Sequence, residues 1–422
     1  MERKAPKGTR DILPEEARKW QYVEGVVRDI CEKAGYGEIR TPIFEHTELF
    51  ERGIGTGTDI VEKEMYTFLD RSNRSITLRP EGTAPVVRAY LEHNMHAGPQ
   101  PVKLYYMGPM FRYERPQSGR YRQFWQFGAE ILGAAGPLAD AEVIAILLQI
   151  YGALGLSGCK VALNTIGCPV CRPAYREELK RTLGARIEDM CPDCRRRFSY
   201  NPLRILDCKR EECQEAIEAI PDVVDFLCDD CRGHFARLRD YLSTLGISYF
   251  INPRIVRGLD YYTRTVFEVA HPALGAQDVL GAGGRYDGLA EECGGPPTPG
   301  VGFASGIDRV ILALDAEGAL PDLKKGVGVF VVAAGEGSKE RALRLVFELR
   351  KAGLRADMDY MDRSLKSQMR LADRLQARYA LILGEEEMAK GTVQLRDMQR
   401  AEQREVPQEG LSALLVGLER RS

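Results

Sequence analysis

Between Arg257 and Glu268 the chain reads Arg-Gly-Leu-Asp-Tyr-Tyr-Thr-Arg-Thr-Val-Phe-Glu, which puts an arginine, a carboxylate and two phenols, Tyr261 and Tyr262, around a glycine at a strand start. A core strand would be apolar there, so the segment reads as a polar site. Gly281-Ala-Gly-Gly-Arg-Tyr-Asp-Gly-Leu289 follows as an expected turn without side-chain bulk, where a ligand could lie directly on backbone. Upstream, Ile76-Thr-Leu78 leads into Arg79-Pro-Glu-Gly-Thr83, which predicts an abrupt turn.

Glycine-rich phosphate loops are missing: there is no G-x-x-x-x-G-K-[ST], and neither Gly281-Ala-Gly-Gly-Arg-Tyr nor Gly335-Glu-Gly-Ser-Lys-Glu completes G-x-G-x-x-G. No serine or cysteine is framed by a recognisable histidine partner, and only five histidines exist to supply one. What remains is arginine chemistry, carried by Phe111-Arg-Tyr-Glu-Arg-Pro-Gln-Ser-Gly-Arg-Tyr-Arg122, by Arg257 and by Arg309. Guanidinium groups on strands hold phosphates in fixed geometry and neutralise charge that builds during phosphoryl or nucleotidyl transfer, so no protein nucleophile is required.

Eight of the eleven cysteines fall between Lys160 and Tyr249. Cys168-x2-Cys171 and Cys191-x2-Cys194 are separated by 19 residues, which is zinc-site spacing, and Cys208, Cys213, Cys228 and Cys231 are a second candidate set of four. Structural Zn²⁺ held by thiolates, reduced buried thiols and redox exchange are the readings left open, and the ligand pairing with them.

The elements that must hold these residues divide a chain of 422 residues into several blocks. With 44% apolar and 28% charged residues the composition is that of a soluble globular protein. Met1-Glu-Arg-Lys-Ala-Pro-Lys is not followed by an apolar stretch, so a cytoplasmic location is expected. The longest apolar run, Val143 to Leu156, is interrupted by Gln149 and falls short of the roughly 18 residues of a membrane span. A net charge of −2 excludes a uniformly basic surface, so any RNA contact must use local patches. Lys103, Arg112, Arg115, Arg120 and Arg122 form one against Glu114, and Arg363, Lys366, Arg370, Arg374 and Arg378 form a stripe at helical spacing.

Trp20 to Ala34 has a helical period ended by Gly35, and Glu38 to Phe44 reads as one strand that Pro42 confines to an edge or interface. Val102–Met107 and Phe124–Ile131 flank the basic loop as an antiparallel pair. Residues 1–159 and 250–316 are expected to make one domain, interrupted by a Cys-rich insertion at 160–249. A polar linker, Glu317 to Lys325, leads to a domain at 326–422. There strands Val327–Val332, Leu354–Met358 and Ala380–Leu383 alternate with helices Ser338–Ala352 and Ser364–Ala377, which implies a small α/β domain with parallel strands.

These motifs resemble the class II aminoacyl-tRNA synthetases, and most closely the histidyl-tRNA synthetase family, whose two signature peptides stand here as Arg257–Glu268 and Gly281–Leu289. The resemblance extends from Lys7-Gly-Thr-Arg-Asp-Ile-Leu-Pro14 to the C-terminal domain. Arg112 occupies the position of the second-motif arginine, and Arg309 that of the third, after the strand-like Gly300-Val-Gly-Phe-Ala-Ser-Gly. It implies an α+β catalytic domain on a mixed, mostly antiparallel sheet, followed by a C-terminal α/β anticodon-binding domain. It also implies that Glu81, Gly82 and Thr83, with Gln126, hold the α-amino group of L-histidine, and that Glu130, Tyr261 and Tyr262 face its imidazole. Arg112, Arg120 and Arg309 would bind ATP, and Arg257, catalytic with Arg112 and Mg²⁺, would lie between the α-phosphate and the amino-acid carboxylate.

A carboxylate and a phenol suit neutral imidazole, which has one donor and one acceptor nitrogen. Such a site rejects analogues lacking those groups by roughly 10⁴ or more, so no editing domain is needed. The family further implies tRNA(His) as partner and a homodimer with Glu38–Phe44 at its interface, and it does not demand a metal in the insertion. Trp125 stands where the family often has histidine. Two other readings explain less. A catalytically inactive paralogue, the regulatory subunit of ATP phosphoribosyltransferase, would lose catalytic residues and the C-terminal domain, whereas Glu81, Arg112, Gln126, Glu130, Arg257 and Arg309 are all present. A zinc-ribbon nucleic-acid binder would account for the cysteines and leave both signature peptides unexplained.

Overall fold

The helical period near the N-terminus forms the helix Pro14–Lys33 in the computed structural model, which describes residues 3–117, 119–323, 326–335 and 337–419. Pro14 opens it where a missing N–H costs nothing, and Val23 and Val27 lie fully buried on one stripe, each stabilising the fold by about 1.5–3 kcal/mol. Lys324 and Lys325 of the expected linker, Ser118 in the basic loop and residues 420–422 lie outside the described residues. The chain divides into two units at Pro321/Asp322.

Along the first unit run β1 (Gly37–Glu38), β2 (Phe44–His46), β3 (Tyr66–Leu69), β4 (Ser75–Leu78), β5 (Val102–Phe111) and β6 (Gln123–Leu132). They are followed by β7 (Lys160–Thr165), β8 (Tyr249–Ile251), β9 (Thr263–Ala270), β10 (Val279–Arg285) and β11 (Gly300–Gly306). Eight of these form one sheet in the order β1-β5-β6-β11-β10-β9-β7-β8. Its two outer pairs, β1 with β5 and β7 with β8, are parallel and the rest antiparallel, so the sheet is mixed and mostly antiparallel. β2, β4 and β3 form a separate antiparallel sheet.

The two-residue period of strands decides which face each side chain serves. Tyr105, Phe127, Ala129, Ile131, Val301, Phe303 and Phe267 join the core under the helices Pro14–Lys33, Pro137–Ala153 and Ile307–Glu317. Their neighbours in sequence, Leu104, Tyr106, Leu132 and Val266, pack on the opposite face with Tyr261, Tyr262 and Tyr286. Gln126, Gly128 and Glu130 alternate with the core residues of β6 and therefore share that second face.

Several sequence expectations are corrected. Glu38–Phe44 spans two strands in two sheets, because the backbone leaves β1 after Glu38, passes Pro42 and joins β4 from Phe44 on. Gly281–Gly284 is the middle of β10, paired on both sides, and not a turn. The block 160–249 is not separate at its ends: β7 and β8 belong to the main sheet, and Phe235, Leu238 and Leu242 of the helix Asp229–Thr244 enter its core. Only the stretch between them has a core of its own, around Tyr175, Leu179, Leu183 and Ile205.

In the second unit β12 (Val329–Ala333), β13 (Ala356–Met358) and β14 (Tyr379–Leu383) are parallel as expected, with helices Ser338–Lys351 and Leu365–Arg374 between them. Two strands the sequence reading missed, β15 (Thr392–Asp397) and β16 (Gln403–Pro407), extend the sheet antiparallel from β14. No described helix is long and apolar enough to cross a membrane.

Candidate active site

A buried carboxyl lies at the centre of the polar face. Glu130 is fully buried on β6, where its Oε1 accepts from the Thr83 hydroxyl at 2.8 Å and its Oε2 from the Tyr286 hydroxyl at 2.5 Å. Burial raises its pKa to about 8, against the lowering effect of those two hydroxyls. Burial thus favours the protonated form of Glu130, and the hydroxyls of Thr83 and Tyr286 oppose it.

Thr83 is delivered to Glu130 by local chemistry. Arg79-Pro-Glu-Gly turns the chain from β4 into the helix Thr83–Glu92, and the Glu81 carboxylate accepts from the backbone N–H of Thr83 at 2.6 Å and of Ala84 at 2.8 Å. A carboxylate has about four acceptor sites, so Glu81 keeps lone pairs for a further donor. Arg79 fixes the turn by donating to the carbonyls of Thr41 and Pro109, and Arg112 donates to the Pro80 carbonyl at 2.9 Å. Glu81, Gly82, Thr83 and Glu130 are thus brought together.

Tyr261 and Tyr262 meet with their rings tilted by 52° and centroids 4.7 Å apart, and Tyr261 meets Tyr286 edge-on at 5.7 Å. Space for these rings comes from glycines. A Cβ on Gly284 would lie 2.9 Å from the Tyr262 ring, and one on Gly82 would lie 2.3 Å from the Tyr106 ring. Gly281, Gly283 and Gly284 of the second signature peptide are therefore covered by the protein's own atoms, among them the Tyr151, Phe267 and Tyr262 side chains, whereas Gly288 has open space beside it.

Gln126 Oε1, Asn164 Oδ1 and Arg257 Nε are among the buried polar atoms of this face that have no hydrogen-bond partner. Unpaired buried polar groups are costly and concentrate where a ligand completes them. Arg257 also donates to Glu268 Oε1 at 2.5 Å, which joins the first and last residues of the signature peptide. It borders a cavity of about 540 Å³ with Gly55, Gly57, Arg172, Arg176 and Arg204.

The other arginines gather on the β5–β6 hairpin. Arg112 lies 5.5 Å from the Phe124 ring, and Glu114 lies within 4.0 Å of Arg112 and 3.4 Å of Arg120. Arg309 starts the helix after β11 and donates to the Val279 carbonyl at 2.7 Å. Its pKa is lowered by burial and by the like charge of Arg120, which places the two guanidinium groups in one field. Trp125 packs edge-on against Trp20 at 5.7 Å, away from Glu130 by the strand period.

Sequence reading missed Tyr286 and Tyr106. Tyr286 lay inside the peptide read as a turn, and Tyr106 looked like an ordinary apolar strand residue; the two-residue alternation of β5 with Gln126, Gly128 and Glu130 opposite is the signal that finds Tyr106. Arg285 is structural. It is fully buried and held by Asp140, which His234 also contacts at 3.2 Å.

The thiols are grouped differently from the expectation. Cys168 and Cys171 meet Cys228 and Cys231, while Cys191 and Cys194 meet Cys208 and Cys213. Each C-x2-C pair stays together because its loop is short, but the chain path through the insertion decides which pairs converge. In the second unit the basic stripe is shorter than expected, since Arg363 pairs with Asp359 and Arg378 with Asp397 at its ends. Lys366, Arg370 and Arg374 are exposed.

A mixed sheet that gathers an arginine-bearing hairpin and an arginine at a helix start around one polar face defines the fold of a class II aminoacyl-tRNA synthetase. The chain belongs to the histidyl-tRNA synthetase family, whose profile matches residues 8–171 and 192–310. A profile described as an anticodon binding domain matches residues 328–418. The histidine–tRNA ligase of Desulforamulus reducens is 54% identical over 401 residues, covering 95% of this chain and 96% of the relative. That of Moorella thermoacetica is 56% identical over 402 residues, covering 95% of each. Among solved structures, apo histidyl-tRNA synthetase of S. aureus superposes with a TM-score of 0.84 at 41% identity, covering 98% of this chain and 99% of that one.

Proposed function

We propose that the protein is a histidine–tRNA ligase that activates L-histidine with ATP and transfers it to the 3′ end of tRNA(His). The observation that carries this reading is Glu130, a fully buried carboxyl held between the hydroxyls of Thr83 and Tyr286 beside Tyr262. A carboxyl group and the Tyr262 phenol together suit the one donor and one acceptor nitrogen of neutral imidazole.

Glu81, with its spare lone pairs, and the unpaired Gln126 Oε1 accept from the α-ammonium group of histidine, and Thr83 and the backbone at Gly82 fix the turn that presents them. Tyr261 backs the Tyr262 ring. Arg112, Arg120 and Arg309 hold ATP, which enters as its Mg²⁺ complex, so that metal comes with the phosphates. Glu64 and Glu114 are the acids beside Arg112; burial and then the charge of Glu114 raise the pKa of Glu64, a pairing that favours a nearby cation. The histidine carboxylate attacks the α-phosphorus in line and pyrophosphate leaves. Arg257 and Arg112 meet the charge that develops there. The terminal ribose hydroxyl of tRNA then attacks the activated carbonyl and AMP departs.

The second unit holds the anticodon arm through Lys366, Arg370 and Arg374. Ile43, Phe44 and Phe68, exposed on or beside the three-stranded sheet, form the apolar surface through which two copies make a homodimer. A cytoplasmic location follows from this role in translation. The regulatory-subunit reading is disfavoured by near full-length ligase relatives at 54–56% identity. Pyrophosphate exchange measured with each amino acid tests the assignment: exchange should require histidine, and equal exchange with another amino acid would overturn it.

A further inference from the structure

Neither thiol cluster is used by the proposed chemistry, and each has a definite place in the fold. Cys168 and Cys171 stand where the chain leaves β7, and Cys228 and Cys231 where the helix Asp229–Thr244 returns to the main core, so this cluster closes the neck of the insertion. Cys191 and Cys194 begin the helix Pro192–Tyr200, and Cys208 and Cys213 flank the start of the helix Glu211–Glu218, so the second cluster lies in the insertion's interior.

In both clusters all four sulfurs lie within 4.8 Å of one another. The separations given by Cys168–Cys171, Cys168–Cys228 and Cys191–Cys208 are 3.6, 3.9 and 3.9 Å. A zinc ion with four sulfurs at about 2.3 Å makes a tetrahedron whose edge is about 3.8 Å. Backbone N–H groups also aim at the sulfurs: Cys228 N at Cys171 Sγ (3.1 Å), Cys191 N at Cys213 Sγ (3.3 Å) and Cys194 N at Cys191 Sγ (3.4 Å). Such donors stabilise charge on a thiolate and orient it toward a metal. A module this small, whose core contains Cys191, Cys194 and Cys213, gains from a metal staple.

The neck is bonded directly to the first signature peptide. Arg264 N donates to the Gly167 carbonyl at 2.8 Å, Ile166 N to the Arg264 carbonyl at 2.7 Å, and Arg172, next to Cys171, to the Tyr262 carbonyl. One turn after Cys231, His234 meets Asp140, the partner of Arg285.

We propose that the insertion holds two zinc ions, one bound by Cys168, Cys171, Cys228 and Cys231 at the neck and one by Cys191, Cys194, Cys208 and Cys213 inside, and that the neck zinc positions Arg172 against Tyr262. Each site forms four Zn–S bonds and releases four thiol protons to solvent, with no change of oxidation state. The positioning role rests on the histidine site proposed above; the metal content does not.

Elemental analysis of the full chain, purified reduced and without chelator, should find about two zinc per chain, and about one after either Cys228→Ser with Cys231→Ser or Cys208→Ser with Cys213→Ser. Cys159→Ser, outside both clusters, should keep both ions. Co²⁺ exchanged into the unaltered protein should give the absorption of tetrahedral tetrathiolate cobalt. Zinc absent or at one equivalent, iron in its place, or thiols found as disulfides would overturn the two-zinc assignment. For positioning, Arg172→Ala should keep both zinc ions and raise the KM for histidine roughly tenfold, the size expected for losing a charge-assisted hydrogen bond, with the KM for ATP little changed. An unaltered histidine KM, or an equal rise in both, would overturn that role while leaving the metal sites standing.

Discussion

Gly302 on β11 lies so close under Glu130 that a Cβ built on it would be 1.6 Å from Oε2. The two residues are directly paired across β6 and β11, so neither backbone can retreat without breaking the sheet. Gly302→Ala should therefore push the Glu130 carboxyl off Thr83 and Tyr286, raising the histidine KM at least tenfold, about 1.4 kcal/mol of lost binding. Steady-state pyrophosphate exchange checks this; an unchanged histidine KM in a folded protein would mean that Glu130 does not touch the amino acid.

Glu130 also sets a pH dependence. Burial raises its pKa from 4.5 in the unfolded chain to about 8, so its contribution to stability is whole below pH 4.5 and is lost as the pH rises toward 8. Glu130→Gln, neutral throughout, should lose less stability between pH 5 and pH 8 than the unaltered protein. Urea midpoints at the two pH values measure the difference, and equal losses would assign the slope to other groups.

Arg257 has a paired Nη1 on Glu268 and an unpaired Nε, and in the proposed reaction its charge would count most when the α-phosphorus becomes five-coordinate. Arg257→Ala should lower the rate of adenylate formation by about 10²–10³ and affect histidine binding much less. Single-turnover rates set beside histidine dissociation constants separate the two. A fall of equal size in both would make Arg257 a ground-state binder.

In the second unit, reversing Lys366, Arg370 and Arg374 to glutamate should weaken tRNA binding and flatten its salt dependence by about 2–3 in log–log slope, while adenylate formation continues. Binding measured at two salt concentrations tests it. An unaltered slope would place the RNA contact on another surface.

The residue types of the site were legible in the sequence because they are local. The Arg79–Thr83 turn, the arginine-bearing hairpin and the Arg257–Glu268 peptide each carry chemistry over a few adjacent residues, and alternation along β6 already puts Gln126 and Glu130 on one face. The resemblance to the histidyl-tRNA synthetases, which the full-length relatives bear out, rests on those same short runs. Elements that depend on what pairs with them were not legible. Gly281–Gly284 is chemically a turn sequence, and it becomes a central strand because β9 and β11 supply its hydrogen bonds and the aromatic side chains its missing volume. Tyr286 reaches Glu130 across 156 residues, and Cys171 reaches Cys228 across 57. Short-range spacing fixes which side chains can react; only the folded path, chosen by burial of the two sheet faces, fixes which of them meet.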